Sequence, residues 1–215
     1  MNTVAVVDYG MGNLRSVVKA LEHAAPAGTR VLLTDRPADI LEADRVVFPG
    51  QGAARDCMQA LDQRGLSGVL RETALTRPFL GICMGMQVLM DHSEENGGTR
   101  CLGIVPGGVR WFGVDLTDAR GERLKIPHMG WNRVHQVHAH PLWAGIEQDS
   151  RFYFVHSYYV EPAALQVVAG TTDYGMPFTS AIAKDHIFAI QCHPEKSAAT
   201  GLTLLRNFMH WTGGV

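Results

Sequence analysis

Residues 78–90 read PFLGICMGMQVLM, and this stretch indicates how the chain folds. It opens as an apolar run typical of a buried strand and continues with helical spacing, with the pattern GxCxG from Gly81 to Gly85 at the junction. At a nucleophile elbow, small residues flank the reactive side chain because the chain turns sharply and packs against itself. The pattern therefore predicts Cys83 as a nucleophile at the carboxyl edge of a sheet, where a helix start behind it favours the thiolate. Taken alone, the segment leaves a small buried core cysteine as the alternative.

The segments before this stretch alternate between β-branched apolar runs and helical periodicity, which is typical of βαβ units with a parallel sheet. The predicted strands, including the one that leads into the elbow, are residues 4–8, 31–33, 45–48 and 79–82. Asn13 is predicted to cap a helix after the first strand. The apolar face of that helix is predicted to contain Leu14, Val17, Val18 and Leu21.

Residues after about 107 form many short strand-like runs separated by Gly, Pro and Asn. Runs such as GGVRW, GWNRVHQV and RFYFVHSYYV predict largely antiparallel or mixed sheet up to about residue 191. Ser197 is predicted to cap a closing helix with Leu202, Leu205 and Met209 on its inner face. Together these patterns predict an α/β fold, with a central, mostly parallel sheet flanked by helices and extended by antiparallel or mixed strands.

Composition limits the organisation and partners of the chain. With 215 residues, 46% of them apolar and 19% charged, we expect a single domain over residues 1–215. A net charge of −2 without a basic stripe argues against nucleic acid as a partner. No stretch has the length and apolarity of a membrane span, and the first residues lack the pattern of a signal peptide. The four cysteines (Cys57, Cys83, Cys101, Cys192) form no CxxC pair, so a reducing cytoplasm is the expected location.

A candidate base follows the last predicted strand, in the segment His193-Pro194-Glu195. Side chains two residues apart on an extended segment point the same way, so Glu195 is placed to hold the imidazole of His193. Cysteine, histidine and acid then have the roles of nucleophile, proton acceptor and orienting group. A hydrogen-bonded structural histidine is the alternative for His193 considered by itself.

A candidate oxyanion site follows the third predicted strand, in the loop FPGQG of residues 48–52. Glycines let backbone N–H groups approach a ligand, so this loop and the Met84 amide are predicted to supply donors to a tetrahedral oxyanion. Gln87 lies one helical turn after Cys83 and is placed to reach a small polar substrate. An ordinary strand-to-helix loop, and a packing role for Gln87, stay open on local sequence alone.

Two further patterns are weak. His135, His138 and His140 suggest a metal site, but no carboxylate or cysteine stands at ligand spacing, so no metal is predicted. Gly10-Met11-Gly12 begins like a dinucleotide fingerprint, but its third glycine is absent.

The markers PG-x-G, GxCxGxQ and HPE occur here in the order found in the class I, or triad, glutamine amidotransferases, which the chain resembles over almost its whole length. A narrower resemblance is to the glutaminase subunits that serve imidazole glycerol phosphate synthases in histidine biosynthesis. It is carried by DYGMGN at residues 8–13 and PHMGWN at residues 127–132, together with FVHSYY at residues 154–159 and HPEKS at residues 193–197. Two departures are Gln51, where an aliphatic residue is usual, and Cys192, where an aromatic is usual.

The resemblance implies a flavodoxin-like fold and hydrolysis of L-glutamine to glutamate and ammonia, without metal or organic cofactor. It implies that Cys83, His193 and Glu195 form the triad. Glutamine would be held by Gly52, Gln87, Ser157 and Tyr158, with Glu95 a weaker candidate. The positions implied to face a (β/α)₈-barrel cyclase partner, which would use the ammonia, are His128, Trp131, Tyr153 and Lys196. Two alternatives stay open: the glutaminase subunit of a synthase making anthranilate, a nucleotide or a pyridoxal precursor, and a non-catalytic flavodoxin-like regulatory protein.

Overall fold

The computed structural model describes residues 2–214 and alternates strands with helices in its first half. The strands are β1 (Asn2–Val7), β2 (Thr29–Thr34), β3 (Arg45–Gly50), β4 (Phe79–Cys83), β5 (His92–Ser93), β6 (Thr99–Arg100), β7 (Gly107–Trp111), β8 (His128–Arg133), β9 (His135–Gln136), β10 (Arg151–His156), β11 (Tyr158–Pro162), β12 (Val168–Asp173), β13 (Pro177–Lys184) and β14 (Ile187–Ile190). The helices are α1 (Leu14–Ala24), α2 (Pro37–Glu42), α3 (Ala54–Gln63), α4 (Leu66–Thr76), α5 (Met84–Gln87) and α6 (Ala198–His210).

The main sheet has the strand order β2-β1-β3-β4-β14-β13-β11-β7-β5-β6, with β12 and β9 joined beside β13. The five strands from β2 to β14 are parallel neighbours, whereas β13, β11 and β7 pair antiparallel. A separate antiparallel pair is formed by β8 and β10. The predicted α/β fold, with a parallel first half and a mixed second half, is therefore confirmed, and all four predicted N-terminal strands are present with shifted ends.

The central parallel strands β3, β4 and β14 are buried on both faces, which is why they are largely apolar. Alternate residues of β1 belong to different cores, because successive side chains point to opposite faces of a sheet. Ala5 and Val7 pack with the helices α2 to α4, and Val4 and Val6 pack with α1 and α6. The edge at which β3, β4 and β14 end is thereby held between two rigid layers. Within residues 2–214, no helix combines the length and apolarity needed to cross a membrane.

Both predicted helix caps are wrong in detail. Asn13 and Ser197 immediately precede α1 and α6, but neither side chain bonds to the helix it precedes. Their ψ angles of 62° and 28° differ from the extended backbone of a capping residue. The Ser197 hydroxyl instead donates to the His193 carbonyl (2.6 Å) and accepts from the Tyr153 amide (2.9 Å). Ser197 therefore ties the segment after β14 to β10.

The predicted inner faces of the two helices are close to those observed. Leu14, Val17 and Leu21 of α1 are buried, while Val18 is half-buried at the edge of the contact. In α6 the buried face contains Leu205 and Met209, as predicted, and also Leu204 and Phe208. Leu202 is only half-buried.

Candidate active site

Cys83 ends β4 in a backbone conformation that few L residues adopt, with φ 56° and ψ −109°. The glycines on either side are required by close approach. A Cβ on Gly85 would lie 1.9 Å from the Phe48 carbonyl oxygen, and one on Gly81 would lie 2.8 Å from the Gly85 carbonyl oxygen. The chain therefore packs against itself at the turn, as the GxCxG pattern predicts. The helix behind Cys83, α5, has four residues, so it offers first-turn amides behind the nucleophile but no long helix dipole.

His193 follows β14, the strand that pairs with β4 and places Ile190 opposite Ile82. Its Nδ1 lies 2.9 Å from Oε1 of Glu195, and the two side chains are only 3% and 2% exposed. With Nδ1 engaged by the carboxylate, Nε2 is the ring nitrogen left for the Cys83 thiol. This Nε2 is buried and has no hydrogen-bond partner among residues 2–214. The structure thus brings the three predicted catalytic side chains together: Cys83 and His193 line one cavity, and Glu195 holds the far side of the His193 ring.

The charge state of His193 is set by its two neighbours. Burial of the ring lowers the pKa of His193, but the nearby Cys83 sulfur and the hydrogen-bonded Glu195 carboxylate raise it to about 10. The shift favours the protonated imidazole, which suits a group that must give a proton to a leaving amine.

A cavity of about 440 Å³ opens above Cys83. This volume falls within the range of small-molecule sites. The cavity is lined by all of the predicted substrate-binding residues, which are Gly52, Gln87, Ser157 and Tyr158. The weaker candidate, Glu95, also lines it. Glu95 also has a structural contact, because its Oε2 accepts from the amide of Ala54 (2.7 Å), the first residue of α3.

The candidate oxyanion loop has one of its amides committed elsewhere. The N–H of Gln51 donates to the hydroxyl of Tyr9 (3.3 Å). Tyr9 is fully buried beneath Gly50, where an added Cβ would lie 2.8 Å from the phenol oxygen and 2.6 Å from the Met84 Cβ. Met84 and Gln51 both line the cavity. The loop and the Met84 amide therefore surround the nucleophile, but the Gln51 N–H is held by Tyr9.

The sequence patterns did not indicate Gln191, a fully buried residue whose Nε2 lies 3.5 Å from the Cys83 sulfur. Its Oε1 accepts a hydrogen bond from Gln87 Nε2 (3.0 Å). Gln191 stands two residues before His193, so the same alternation argument applied to His193 and Glu195 could have identified it.

The residues expected to face a partner do not all lie on the surface. Trp131 and Lys196 are exposed and Tyr153 is half-buried, with the Lys196 Nζ 5.9 Å from the centre of the Tyr153 ring. For His128 the expectation is wrong. Successive side chains of β8 alternate, so His128 points inward with 3% exposure, while Met129 points outward with 61% exposure.

The histidines weighed as a metal site have different surroundings. His135 lies 3.1 Å from Asp149 at the surface, whereas His140 is buried and accepts from the Leu142 amide. Across residues 2–214, no three histidine, cysteine or acidic side chains are grouped as they would be around a metal ion.

The site has the layout of a cysteine-dependent hydrolase in an α/β protein. It combines a cysteine at a strained elbow with a histidine that follows the adjacent strand and a glutamate that orients the histidine. The sequence model of the family described as "Glutamine amidotransferase class-I" matches residues 5–211. The chain belongs to this family.

Curated relatives agree in sequence over nearly their whole length. A protein of Thiobacillus denitrificans is 60% identical over 98% of this chain and 92% of its own length, and one of Methylococcus capsulatus is 59% identical over 98% and 97%. Both are named "Imidazole glycerol phosphate synthase subunit HisH".

Solved structures agree in fold. The crystal structure of a glutamine amidotransferase has a TM-score of 0.71 at 16% identity, covering 96% of this chain and 97% of that one. The glutaminase domain of Trypanosoma brucei CTPS with bound acivicin has a TM-score of 0.64 at 19% identity, covering 98% and 94%. At these identities the likeness concerns the fold alone.

Proposed function

We propose that this chain is the glutaminase subunit of an imidazole glycerol phosphate synthase and that it hydrolyses L-glutamine to L-glutamate and ammonia. The observation that carries the proposal is the buried grouping of Cys83, His193 and Glu195, with Cys83 and His193 lining the cavity. The identity of about 60% with relatives of that name supports the choice of synthase.

The proposed reaction proceeds through a thioester. The Cys83 sulfur attacks the carboxamide carbon of glutamine, and the carbonyl oxygen becomes an oxyanion. His193 then gives its proton to the amide nitrogen, the C–N bond breaks and ammonia leaves. Water next attacks the thioester with His193 as general base, and the C–S bond breaks to release glutamate and the thiol. Glu195 keeps the ring of His193 in one orientation and stabilises its charged form.

Substrate is held by the walls of the cavity. Gln87, Ser157 and Tyr158 offer amide, hydroxyl and backbone groups, and Gly52 allows the substrate to approach the backbone. Oε1 of Gln87 is buried without a hydrogen-bond partner among residues 2–214, so it is available to an N–H donor of the bound glutamine. No metal or organic cofactor takes part in this chemistry.

The ammonia is proposed to pass to a (β/α)₈-barrel cyclase subunit that makes imidazole glycerol phosphate and aminoimidazole carboxamide ribotide. The docking face is defined here as Met129, Trp131, Tyr153 and Lys196. It offers exposed apolar surface, with Met129 and Trp131 61% and 44% exposed. It also adjoins the active site, because Lys196 lines the cavity. In this proposal residues 1–215 act as one domain, in the cytoplasm, within a heterodimer.

The test uses the barrel subunit from the same source, with and without this chain. Glutamine-dependent cyclase turnover is expected only when both are present, whereas turnover with ammonium salt is expected from the barrel alone. A glutaminase of another synthase would fail to restore glutamine-dependent turnover. A non-catalytic regulatory protein would in addition fail to be labelled at Cys83 by a glutamine-like electrophile, a reaction followed by mass spectrometry.

A further inference from the structure

Gln191 is placed to act on the nucleophile although it contributes no surface to the cavity. Its side chain spans from the Cys83 sulfur, 3.5 Å from Nε2, to the carboxamide of Gln87, 3.0 Å from Oε1. The backbone of Gln191 is fixed independently, because its N–H donates to the Ser180 carbonyl (2.9 Å). The side-chain contacts are therefore not needed to hold this segment in the sheet.

The direction of these hydrogen bonds is determined by a backbone carbonyl. The Tyr158 oxygen can only accept, so the group of Gln87 that lies 3.1 Å from it must be Nε2. The second N–H of that nitrogen then points at Gln191 and requires the carbonyl Oε1 there. As a result, Gln191 must present Nε2, a donor, to the Cys83 sulfur.

The Tyr158 carbonyl also contacts the first of two linked, buried histidines, His156 and His128. His156 Nδ1 lies 2.8 Å from the Tyr158 oxygen and must therefore carry a proton. Its Nε2 lies 2.9 Å from His128 Nδ1, which in turn must donate, and Asn132 Nδ2 approaches His128 Nε2 at 3.2 Å. Burial lowers the pKa of His156 to about 3, so it stays neutral and keeps this single arrangement at neutral pH.

We propose that Gln191 is a further catalytic residue of this glutaminase, donating an N–H to the reacting sulfur while its carbonyl holds Gln87 with Oε1 as the free acceptor. A donor aimed at the sulfur stabilises the thiolate over the thiol. The fixed polarity of Gln87 offers an acceptor to the N–H groups of glutamine and repels a carboxylate oxygen at the same position. This inference rests on the proposed function and adds a residue to its site.

Two variants separate the two contacts. Gln191→Leu removes both, so alkylation of Cys83 by iodoacetamide at pH 7 is expected to slow by about 10-fold and to recover at high pH. Its KM for glutamine is expected to rise because Gln87 is released. In Gln191→Glu the carboxyl group still accepts from Gln87, so KM is expected to stay close to that of the unsubstituted protein. Its alkylation profile is nevertheless expected to move to higher pH, because a second negative charge opposes the thiolate.

Thr172→Val is the matched control. It removes a buried hydroxyl that donates to Ser180 Oγ (2.8 Å), the residue whose backbone pairs with Gln191, without touching the cysteine. Its alkylation profile is expected to match that of the unsubstituted protein.

The inference is overturned if both Gln191 variants keep the original alkylation profile, or if Thr172→Val moves it equally. If Gln191→Leu does not fold, Gln191→Glu decides alone. If the unsubstituted chain does not hydrolyse glutamine even with its barrel partner, the proposed function is rejected. The alkylation profiles would still test the role of Gln191 in that case.

Discussion

The hydroxyl of Tyr9 accepts a hydrogen bond from the N–H of Gln51, 3.3 Å away, in the loop expected to stabilise the oxyanion. One N–H serves one strong acceptor well, so this contact competes with donation to an oxygen above Cys83. Tyr9→Phe should release the amide and raise glutamine hydrolysis by the isolated chain. Because one such donor is worth about 10²–10³ in rate, a gain of about 10-fold is expected.

Tyr174→Phe is the control for that substitution. It also removes a hydroxyl that makes a hydrogen bond, to the Lys125 carbonyl (2.8 Å), but at a site outside the oxyanion loop. Its basal rate should match that of the unsubstituted chain. An unchanged or lower rate in a folded Tyr9→Phe protein, checked by thermal unfolding, would reject the role given to Tyr9.

Substitutions of the three catalytic side chains are expected to reduce glutamine hydrolysis to different degrees. Cys83→Ala should abolish glutamine hydrolysis because no other group can form the thioester, and His193→Ala should be nearly as severe. Glu195→Gln should be milder but still large, because it loses orientation and charge stabilisation of the ring rather than the proton-transfer group itself. The measurement is glutamate release in the presence of the barrel subunit. Substantial activity in Cys83→Ala would reject the mechanism.

Partner binding is expected to switch the site on. Gly50 and Gly52 flank Gln51, and Gly52 has a φ of 86°, so the intervening peptide unit can turn if contacts near the loop favour a second state. Glutamine hydrolysis should rise from the chain alone, to the chain with the barrel subunit, to that complex with its ribonucleotide substrate. Equal rates in all three conditions would exclude the switch.

The docking face is tested by a double variant. Trp131→Ala with Lys196→Ala removes an exposed aromatic side chain and the cation that overlies Tyr153. Stimulation by the barrel subunit should fall strongly. Arg206→Ala, at an exposed position of α6, is the control and should be stimulated normally. Full stimulation of the double variant would show that the face is assigned wrongly.

The close packing at the elbow predicts that glycine positions differ sharply in their tolerance of substitution by alanine. Gly85→Ala would place a Cβ 1.9 Å from the Phe48 carbonyl oxygen, so the turn could not close and the protein should lose stability and activity together. Gly68→Ala, within α4 and with nothing within 4 Å of an added Cβ, should instead stabilise the fold by about 1 kcal/mol. Urea unfolding of both variants measures the contrast. Equal stability of the two would contradict the packing at the elbow.

Acid should destabilise the fold through three buried histidines. Burial lowers the pKa values of His128 and His140 to about 4 and that of His156 to about 3. Below about pH 6.5 the unfolded chain binds these protons while the folded chain does not, so the free energy of unfolding decreases as the pH falls. The expected slope between pH 6 and pH 4 is up to about 4 kcal/mol per pH unit.

The histidine contribution is isolated by comparing a buried with an exposed position. His140→Asn keeps an acceptor for the Leu142 amide but no longer titrates, so urea unfolding should show a shallower pH dependence. His138→Asn, at an exposed residue, should leave the slope unchanged. A flat pH dependence of the unsubstituted protein in this range would refute the account.

The sequence by itself determined the elements whose signal is local. Apolar runs gave the parallel strands, and GxCxG marked the elbow because only glycine fits where Gly81 and Gly85 meet neighbouring backbone. The side chains of His193 and Glu195 meet as predicted, although Pro194–Lys196 form a 3₁₀ turn rather than the extended segment expected from the sequence. These inferences needed no knowledge of distant contacts.

The tertiary structure decided everything that depends on which distant residues meet. Gln191 reaches Cys83 because β14 pairs with β4, a contact between residues 108 positions apart. The Gln51 amide is engaged because Tyr9 lies beneath its loop, and the His128 ring points inward, where it stacks on Phe154 and Tyr174. Periodicity assigns a residue to a face, but hydrogen-bond direction, burial and pKa depend on the partners that packing brings to that face.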